Sequence, residues 1–269
     1  MKGRVLIVAG SDSGGGAGIQ ADIKAVTALN GFAMTAITAL TAQNTLGVHG
    51  VVGVETAFIR QQMQVVLSDL GADCLKTGML HSTEVIGAVC AEIDASARGI
   101  PVVVDPVMVA KGGAALLDPG ATGALRDRLL PRARLVTPNI PEAQALLGGE
   151  IRTVSDMTEA ARALRSMGPA AVLVKGGHME GDRLTDVLLD GSDVHLFETE
   201  RVPSRHTHGT GCTLASAIAC GIAQGLELAA AVGRAQAYVV EAIRRAPGFG
   251  AGHGPVDHAH TVRPFPSDG

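Results

Sequence analysis

The run Val5-Leu6-Ile7-Val8-Ala9 is followed by Gly10-Ser11-Asp12-Ser13-Gly14-Gly15-Gly16-Ala17-Gly18 and then by helically spaced apolar residues from Gly18 to Leu29. A short segment that is apolar at every position fits a strand buried on both faces. The pattern recurs along the chain. Further strand candidates are Ala33 to Leu40, Cys74 to Thr77, Val102 to Asp105, Leu135 to Thr137 and Ala171 to Lys175. Helical spacing occupies Thr56 to Leu70, Ser82 to Ala97, Ala121 to Leu130, Pro141 to Leu147, Ser155 to Ser166, Leu214 to Ala223 and Ala231 to Arg245. This alternation predicts a three-layer α/β architecture, a mainly parallel central sheet with helices on both faces. Leu184 to Leu189 and Val194 to Phe197 flank Asp190-Gly191, which predicts an edge hairpin. No repeat, linker or low-complexity segment interrupts the pattern, so residues 1–269 are expected to form a single domain.

Composition narrows the function. The chain is 46% hydrophobic but has no Trp, one Tyr and five Phe, so Ala, Val, Leu and Ile must fill the core. A chain of this length can remove about 75% of its unfolded surface from water without staples. The scarcity of aromatics argues against a base-stacking platform for nucleic acid. A net charge of −4 without like-charge blocks argues against a polyphosphate backbone or an anionic membrane as partner. Cys74, Cys90, Cys212 and Cys220 show no Cys-x-x-Cys spacing, and the nine histidines include no His-Glu-x-x-His. Neither a zinc motif nor a disulfide framework is indicated, and a reduced, cytoplasmic setting is expected. Val5 to Ala9 is too short for a signal-peptide core, and nothing approaches the roughly 18 apolar residues of a membrane span.

In parallel sheets, ligands bind outside the carboxyl ends of the strands. Those ends are followed here by Gly10 to Gly18, Asp105-Pro106, Pro138-Asn139-Ile140-Pro141-Glu142 and Gly176-Gly177-His178, which are expected to converge on one cleft. Gly16, Gly18 and Ala21 fit G-x-G-x-x-A, but no Asp or Glu lies between Asp22 and Glu55 to bind a ribose, and no Walker P-loop is present. His208-Gly209-Thr210-Gly211-Cys212-Thr213 precedes the apolar helical run from Leu214. Small residues at a helix N-terminus allow backbone amides to approach a phosphate, and they equally suit a close-packed helix start.

Seven segments taken in order carry a resemblance: Ala9 to Asp22, Thr38 to Thr45, Lys76 to Leu80, Asp105 to Met108, Thr137 to Ala143, Lys175 to His178 and Thr207 to Thr213, with Gly252 to His258 extending it. Through them the chain resembles the bacterial hydroxymethylpyrimidine/phosphomethylpyrimidine kinases of thiamine biosynthesis, within the ribokinase-like superfamily. The resemblance implies ATP and Mg²⁺ as cofactors, a small aminopyrimidine as substrate and a homodimer. Asp105 and Glu142 are expected at the metal, with Asn139, Lys175, Gly209 and Thr210 at the nucleotide. Lys175, ending an apolar strand, suits a phosphate oxygen. Gly209, Gly211, Lys175 and Cys212 are expected to act in catalysis.

On the substrate side, Gln43 offers a donor and an acceptor matching a ring nitrogen and an exocyclic amine. The resemblance places Asp22 near the hydroxymethyl group. Ala17 and Gly18 offer backbone groups, and Met79 and Val107 offer apolar contact to the ring. Cys212 stands where sugar kinases of the superfamily carry an Asp base. At a helix N-terminus its pKa is expected to fall, and a thiol repels a phosphate-monoester acceptor less than a carboxylate does. The segment from Val107 to Asp118, with Lys111-Gly112-Gly113, is expected to close over the phosphates. Gln236 stands where relatives commonly carry Lys. Alternatives are pyridoxal or pyridoxine phosphorylation and, from another class, an inactive pyrimidine-binding protein.

Overall fold

The computed structural model describes residues 1–110, 112–118 and 120–263. In chain order, its first half runs β1 (Arg4–Asp12), α1 (Gly18–Ala28), β2 (Phe32–Asn44), β3 (Gly47–Gly53), α2 (Thr56–Asp69), β4 (Cys74–Thr77), α3 (Thr83–Ser96), β5 (Val102–Val104) and α4 (Ala121–Ala124). The second half runs β6 (Leu135–Val136), α5 (Ile140–Leu147), α6 (Val154–Arg165), β7 (Ala171–Val174), β8 (Arg183–Asp190), β9 (Asp193–Glu200), α7 (Thr210–Ala223) and α8 (Leu228–Arg244). The nine strands form one sheet in the order β3-β2-β1-β4-β5-β6-β7-β8-β9. From β2 to β7 every pairing is parallel, while β3 at one edge and the β8–β9 hairpin at the other are antiparallel.

The strands are apolar throughout because each face meets its own helix layer. Leu6 and Val8 of β1, with Leu75, Val104, Val136 and Val172, pack under α2, α3, α5 and α6. Their neighbours Val5, Ile7, Cys74, Val103, Leu135 and Leu173 pack under α1, α7 and α8. The period-two alternation is thus present but invisible as polarity, since both faces are buried.

The three-layer α/β expectation and the edge hairpin are borne out. Four details differ. β1 runs on to Asp12, where Ser11 and Asp12 pair with Leu40 and Thr41 past a register shift, so the Gly-rich loop starts later than expected. β3 was not foreseen, because Gly47-Val48-His49-Gly50-Val51-Val52-Gly53 carries three glycines and lies on an exposed edge. Ala121 to Leu130 is not one helix. It opens as one α-turn, loosens to a π-turn over Leu125–Leu129 and tightens to a 3₁₀ turn at Leu130–Arg132, where Pro131 lacks the N–H an α-helix needs. Finally, α7 starts at Thr210, so the motif preceding Leu214 is itself the helix's first turn.

Candidate active site

The carboxyl ends of β1, β4, β5, β6 and β7 open onto a cavity of about 630 Å³. Of the residues anticipated from sequence, Ala17, Gly18, Gln43, Met79, Asp105, Val107, Asn139, Glu142, Lys175, Gly209, Thr210, Gly211 and Cys212 line it together.

The start of α7 forms one wall. Gly209 is its N-cap, with φ of 81°, and a Cβ there would overlap the Gly16 carbonyl oxygen, so a side chain is excluded by both backbone conformation and space. That approach joins the Gly-rich loop to the helix. The amides of the first turn have no intrahelical acceptor and carry the positive end of the dipole. A Cβ on Gly211 would lie 3.4 Å from Lys175 Nζ and 3.8 Å from Asp105 Oδ2. Helix start, ammonium and carboxylate therefore surround one small space.

Lys175 Nζ donates to Asp105 Oδ1 at 3.1 Å, and Thr137 Oγ1 donates to the same oxygen at 3.3 Å. Burial alone would lower the Lys175 pKa, but the charges of Asp105 and Glu142 outweigh it and raise it, so the lysine stays cationic. Asn139 and Glu142 form a reciprocal cap on α5: Glu142 N donates to Asn139 Oδ1 at 2.8 Å and Asn139 N donates to Glu142 Oε2 at 2.8 Å. The Asn139 side-chain oxygen thus serves the helix. Burial pushes the Glu142 carboxyl up to about 7, assisted by Asp105 and opposed by Lys175. A carboxylate held near neutrality in this way is one that a cation would stabilise.

Among the described residues, no group of three or more His, Cys, Asp or Glu side chains could hold a metal. Magnesium bound through one or two carboxylates, phosphate oxygens and water does not need such a group. Asp105 Oδ2 and Glu142 Oε1 are the oxygens their partners leave for it, and the cationic Lys175 between these acids suits a phosphate-rich ligand, so the residues present fit the ion.

Cys212 differs from expectation. It occupies the first turn of α7, but burial pushes its thiol up to about 12; the charge of Lys76 opposes this, while Asp22 and Asp105 reinforce it. The dipole is outweighed by the cost of placing a thiolate among the protein atoms that surround Cys212. Asp22 also departs from its expected place. It does not line the cavity. It lies fully buried behind the wall, accepting from Lys76 Nζ at 2.9 Å on both oxygens and from Ser216 Oγ at 2.6 Å. Lys76 was not assigned a role from sequence. Its signal was a lysine inside the otherwise apolar strand Cys74 to Thr77, which is costly without a partner.

On the opposite side, Asp12 accepts from the amides of Gly14 and Ala17 at 2.8 Å and of Gly16 at 3.1 Å, and His208 Nε2 lies 2.9 Å from its Oδ2. Burial would raise the Asp12 carboxyl, but His208 and these amides hold it below the usual carboxylate range. Gln43 Nε2 lies 3.3 Å from His208 Nε2, and Gln43 Oε1 lies 3.3 Å from Thr41 Oγ1. Asp186, also unforeseen, is half-buried; it accepts from Gly176 N at 2.7 Å and from Gln236 Nε2 at 2.5 Å, and Gln236 does reach the cavity wall. In the expected closing segment, Val109 pairs with Ala115 and Ala110 N donates to the Ala114 carbonyl at 2.8 Å, a small flap at the cavity mouth. Lys111 lies outside the described residues.

Residues 12–257 match the family model for phosphomethylpyrimidine kinase. The chain belongs to the phosphomethylpyrimidine kinase family. The thiamine biosynthesis bifunctional protein ThiED of Geobacter sulfurreducens is 54% identical over 257 residues, 96% of this chain, and the chain spans about half (52%) of that longer protein. The hydroxymethylpyrimidine/phosphomethylpyrimidine kinase of Bacillus subtilis is 46% identical over 95% of this chain and 94% of its own length. Among solved structures, the pyridoxal kinase of Staphylococcus aureus in complex with ADP superimposes with a TM-score of 0.90 at 36% identity, covering 98% of this chain and 96% of that one. This phosphomethylpyrimidine kinase family member therefore has the ribokinase-like fold anticipated from its motifs.

Proposed function

We propose that the chain transfers phosphate from ATP, with Mg²⁺, first to the hydroxymethyl group of 4-amino-5-hydroxymethyl-2-methylpyrimidine and then to the resulting monophosphate, giving the pyrophosphate. The observation that carries this reading is the pairing, across one cavity, of an anion cradle at Gly209–Cys212 with an amide, Gln43, that matches an aminopyrimidine edge.

Lys175 and the first-turn amides of α7 neutralise charge on the transferring phosphoryl group, and Gln43 with Met79 and Val107 holds the ring. Asp105 and Glu142 would hold the metal, which would supply neutralisation of phosphate charge. Phosphoryl transfer requires mostly positioning and electrostatic stabilisation from the protein. A strong base is therefore not needed beside the acceptor, and a neutral Cys212 thiol adds no negative charge against a phosphate-monoester acceptor. The flap formed by residues 107–110 and 112–118 shields the phosphates from water.

Residues 1–269 act as one domain, a reading supported by the single sheet. The four unpaired cysteines suit a reduced cytoplasm, and a homodimer follows from the family resemblance, with sedimentation as its check. No described helix is long and apolar enough to cross a membrane. The likeness to a pyridoxal kinase makes pyridoxal the competing substrate. The test is ADP release with the hydroxymethylpyrimidine, its monophosphate and pyridoxal in parallel, with products identified by mass. Sequential mono- and diphosphorylated pyrimidine supports the proposal; phosphorylation of pyridoxal alone overturns it.

A further inference from the structure

We infer that Asp12 and His208 are positioning residues that fix which way round the Gln43 amide faces, and so select a ring presenting an amine beside a bare nitrogen over one presenting the reverse pattern. The inference rests on the proposed aminopyrimidine reading and deepens it.

The argument is one of proton inventory. Asp12 Oδ2 already accepts from the amides of Gly16 and Ala17, so it acts as a carboxylate and can only accept. His208 Nε2, 2.9 Å away, must therefore carry a hydrogen. A nitrogen that donates there has no lone pair left, so it cannot accept from Gln43 Nε2, which lies 3.3 Å away, and a half-turn of the amide, setting Oε1 beside that N–H to share it with Asp12, relieves the donor–donor contact. The other side gives the same answer. Thr41 Oγ1 lies 2.9 Å from the Ser11 carbonyl, which takes its single hydrogen and leaves none for Gln43 Oε1 at 3.3 Å; after the same half-turn it accepts from the amide NH₂. Oxygen and nitrogen of a glutamine amide exchange places by rotation about one bond, and the partners decide the choice. The structure sets nitrogen toward His208 and oxygen toward Thr41, whereas the hydrogens available on both partners favour the turned amide, oxygen toward His208 and nitrogen toward Thr41.

This polarity orients the ring. An exocyclic amine pairs with the oxygen on the His208 side, and the adjacent ring nitrogen pairs with the NH₂ on the Thr41 side. The hydroxymethyl group is next to the amine on its other flank, and so on the His208 side, where His208 leads directly into the Gly209–Cys212 start of α7. The residue that fixes recognition and the residue beside the chemistry thus belong to one continuous motif.

The discriminating substrate is the 4-oxo pyrimidine, whose carbonyl and ring N–H invert the donor and acceptor order of the 4-amino compound. A site with buried polar groups set for one pattern rejects the other. The experiment measures kcat/KM for both compounds, and KM for ATP, in the parent, His208→Leu, His208→Gln and Thr41→Val. The parent is expected to favour the amino compound by at least about a hundredfold, on the order of 2.7 kcal/mol. His208→Leu frees the amide to turn, so that preference is expected to fall about tenfold or more with ATP KM unchanged. His208→Gln, which returns a donor, restores it. Thr41→Val, a nearly isosteric change, also reduces the preference and provides the test if His208→Leu does not fold. An unchanged preference in the folded variants, or a parent indifferent to the two rings, overturns the inference while leaving the kinase reading intact. A parent inactive on both pyrimidines overturns that reading, and the inference falls with it.

Discussion

Lys76 Nζ lies 2.9 Å from each carboxylate oxygen of Asp22, and neither side chain reaches solvent. Lysine from β4, aspartate from α1 and Ser216 from α7 thereby meet beneath the cavity wall that carries Cys212. Burial would lower the lysine's pKa, but Asp22, followed by Cys212 and Asp105, raises it. Burial in turn raises the Asp22 carboxyl, opposed by Lys76 and Ser216, so each member of the pair depends on the other.

Breaking such a pair leaves one charge buried alone, which is costlier than removing both. Lys76→Met is expected to lower unfolding free energy in urea by about 3–5 kcal/mol, and the double variant with Asp22→Asn to recover a large part of that loss. A double variant destabilised by the sum of the Lys76→Met and Asp22→Asn losses would show that the pair is not coupled.

The identity of residue 212 bears on the second transfer more than the first. Cys212→Asp places a fixed negative charge at the start of α7. Turnover of the hydroxymethylpyrimidine is expected to persist, while turnover of its monophosphate falls about tenfold or more through repulsion of the phosphate dianion. Rates for the two acceptors, measured separately by coupled ADP release, decide it; a monophosphate rate equal to the parent's contradicts the explanation.

His258 ties the C-terminal segment to α7 through Thr213 Oγ1 at 2.9 Å. Burial, with help from Lys24, lowers its pKa to about 4 from an ordinary 6.5. The unfolded chain therefore binds the extra proton between those values, and the stability associated with neutral His258 is lost as pH falls from about 6.5 to 4. The loss is up to about 3 kcal/mol. Urea titrations across this window are expected to show a shallower slope in His258→Gln; an unchanged slope would exclude His258 as its source.

The layering and most strand positions were legible because Val102-Val103-Val104 and its counterparts are apolar on both faces, a pattern few other structures need. β3 was not legible, since an exposed, Gly-rich edge strand carries neither alternation nor a continuous apolar run. The cavity residues found by motif, such as Lys175, Glu142 and Gly209, follow directly on strand ends or open helices. Those missed are defined by long-range partners: Lys76 by Asp22, His208 by Asp12, and Asp186 by Gln236. Cys212 was misjudged for the same reason. Its place at a helix start can be read locally, but the burial that overrides the dipole cannot.

Gly209 offers a sharp check on the cradle. Alanine there suffers both the left-handed backbone and overlap with the Gly16 carbonyl. Gly209→Ala is expected to lower the melting temperature by several degrees, since the strain is on the order of 1–3 kcal/mol, and to weaken ATP binding measured calorimetrically. Parent-like values for both would mean the helix start does not need this geometry.

The most direct measurement is a crystal structure with a non-hydrolysable ATP analogue and the hydroxymethylpyrimidine bound together. The expected result has the terminal phosphate between Lys175 and the Gly209–Cys212 amides, and the ring against Gln43 with its hydroxymethyl oxygen facing that phosphate. A pyrimidine bound elsewhere, or a nucleotide whose phosphates lie away from α7, would contradict the shared cavity on which the kinase reading depends.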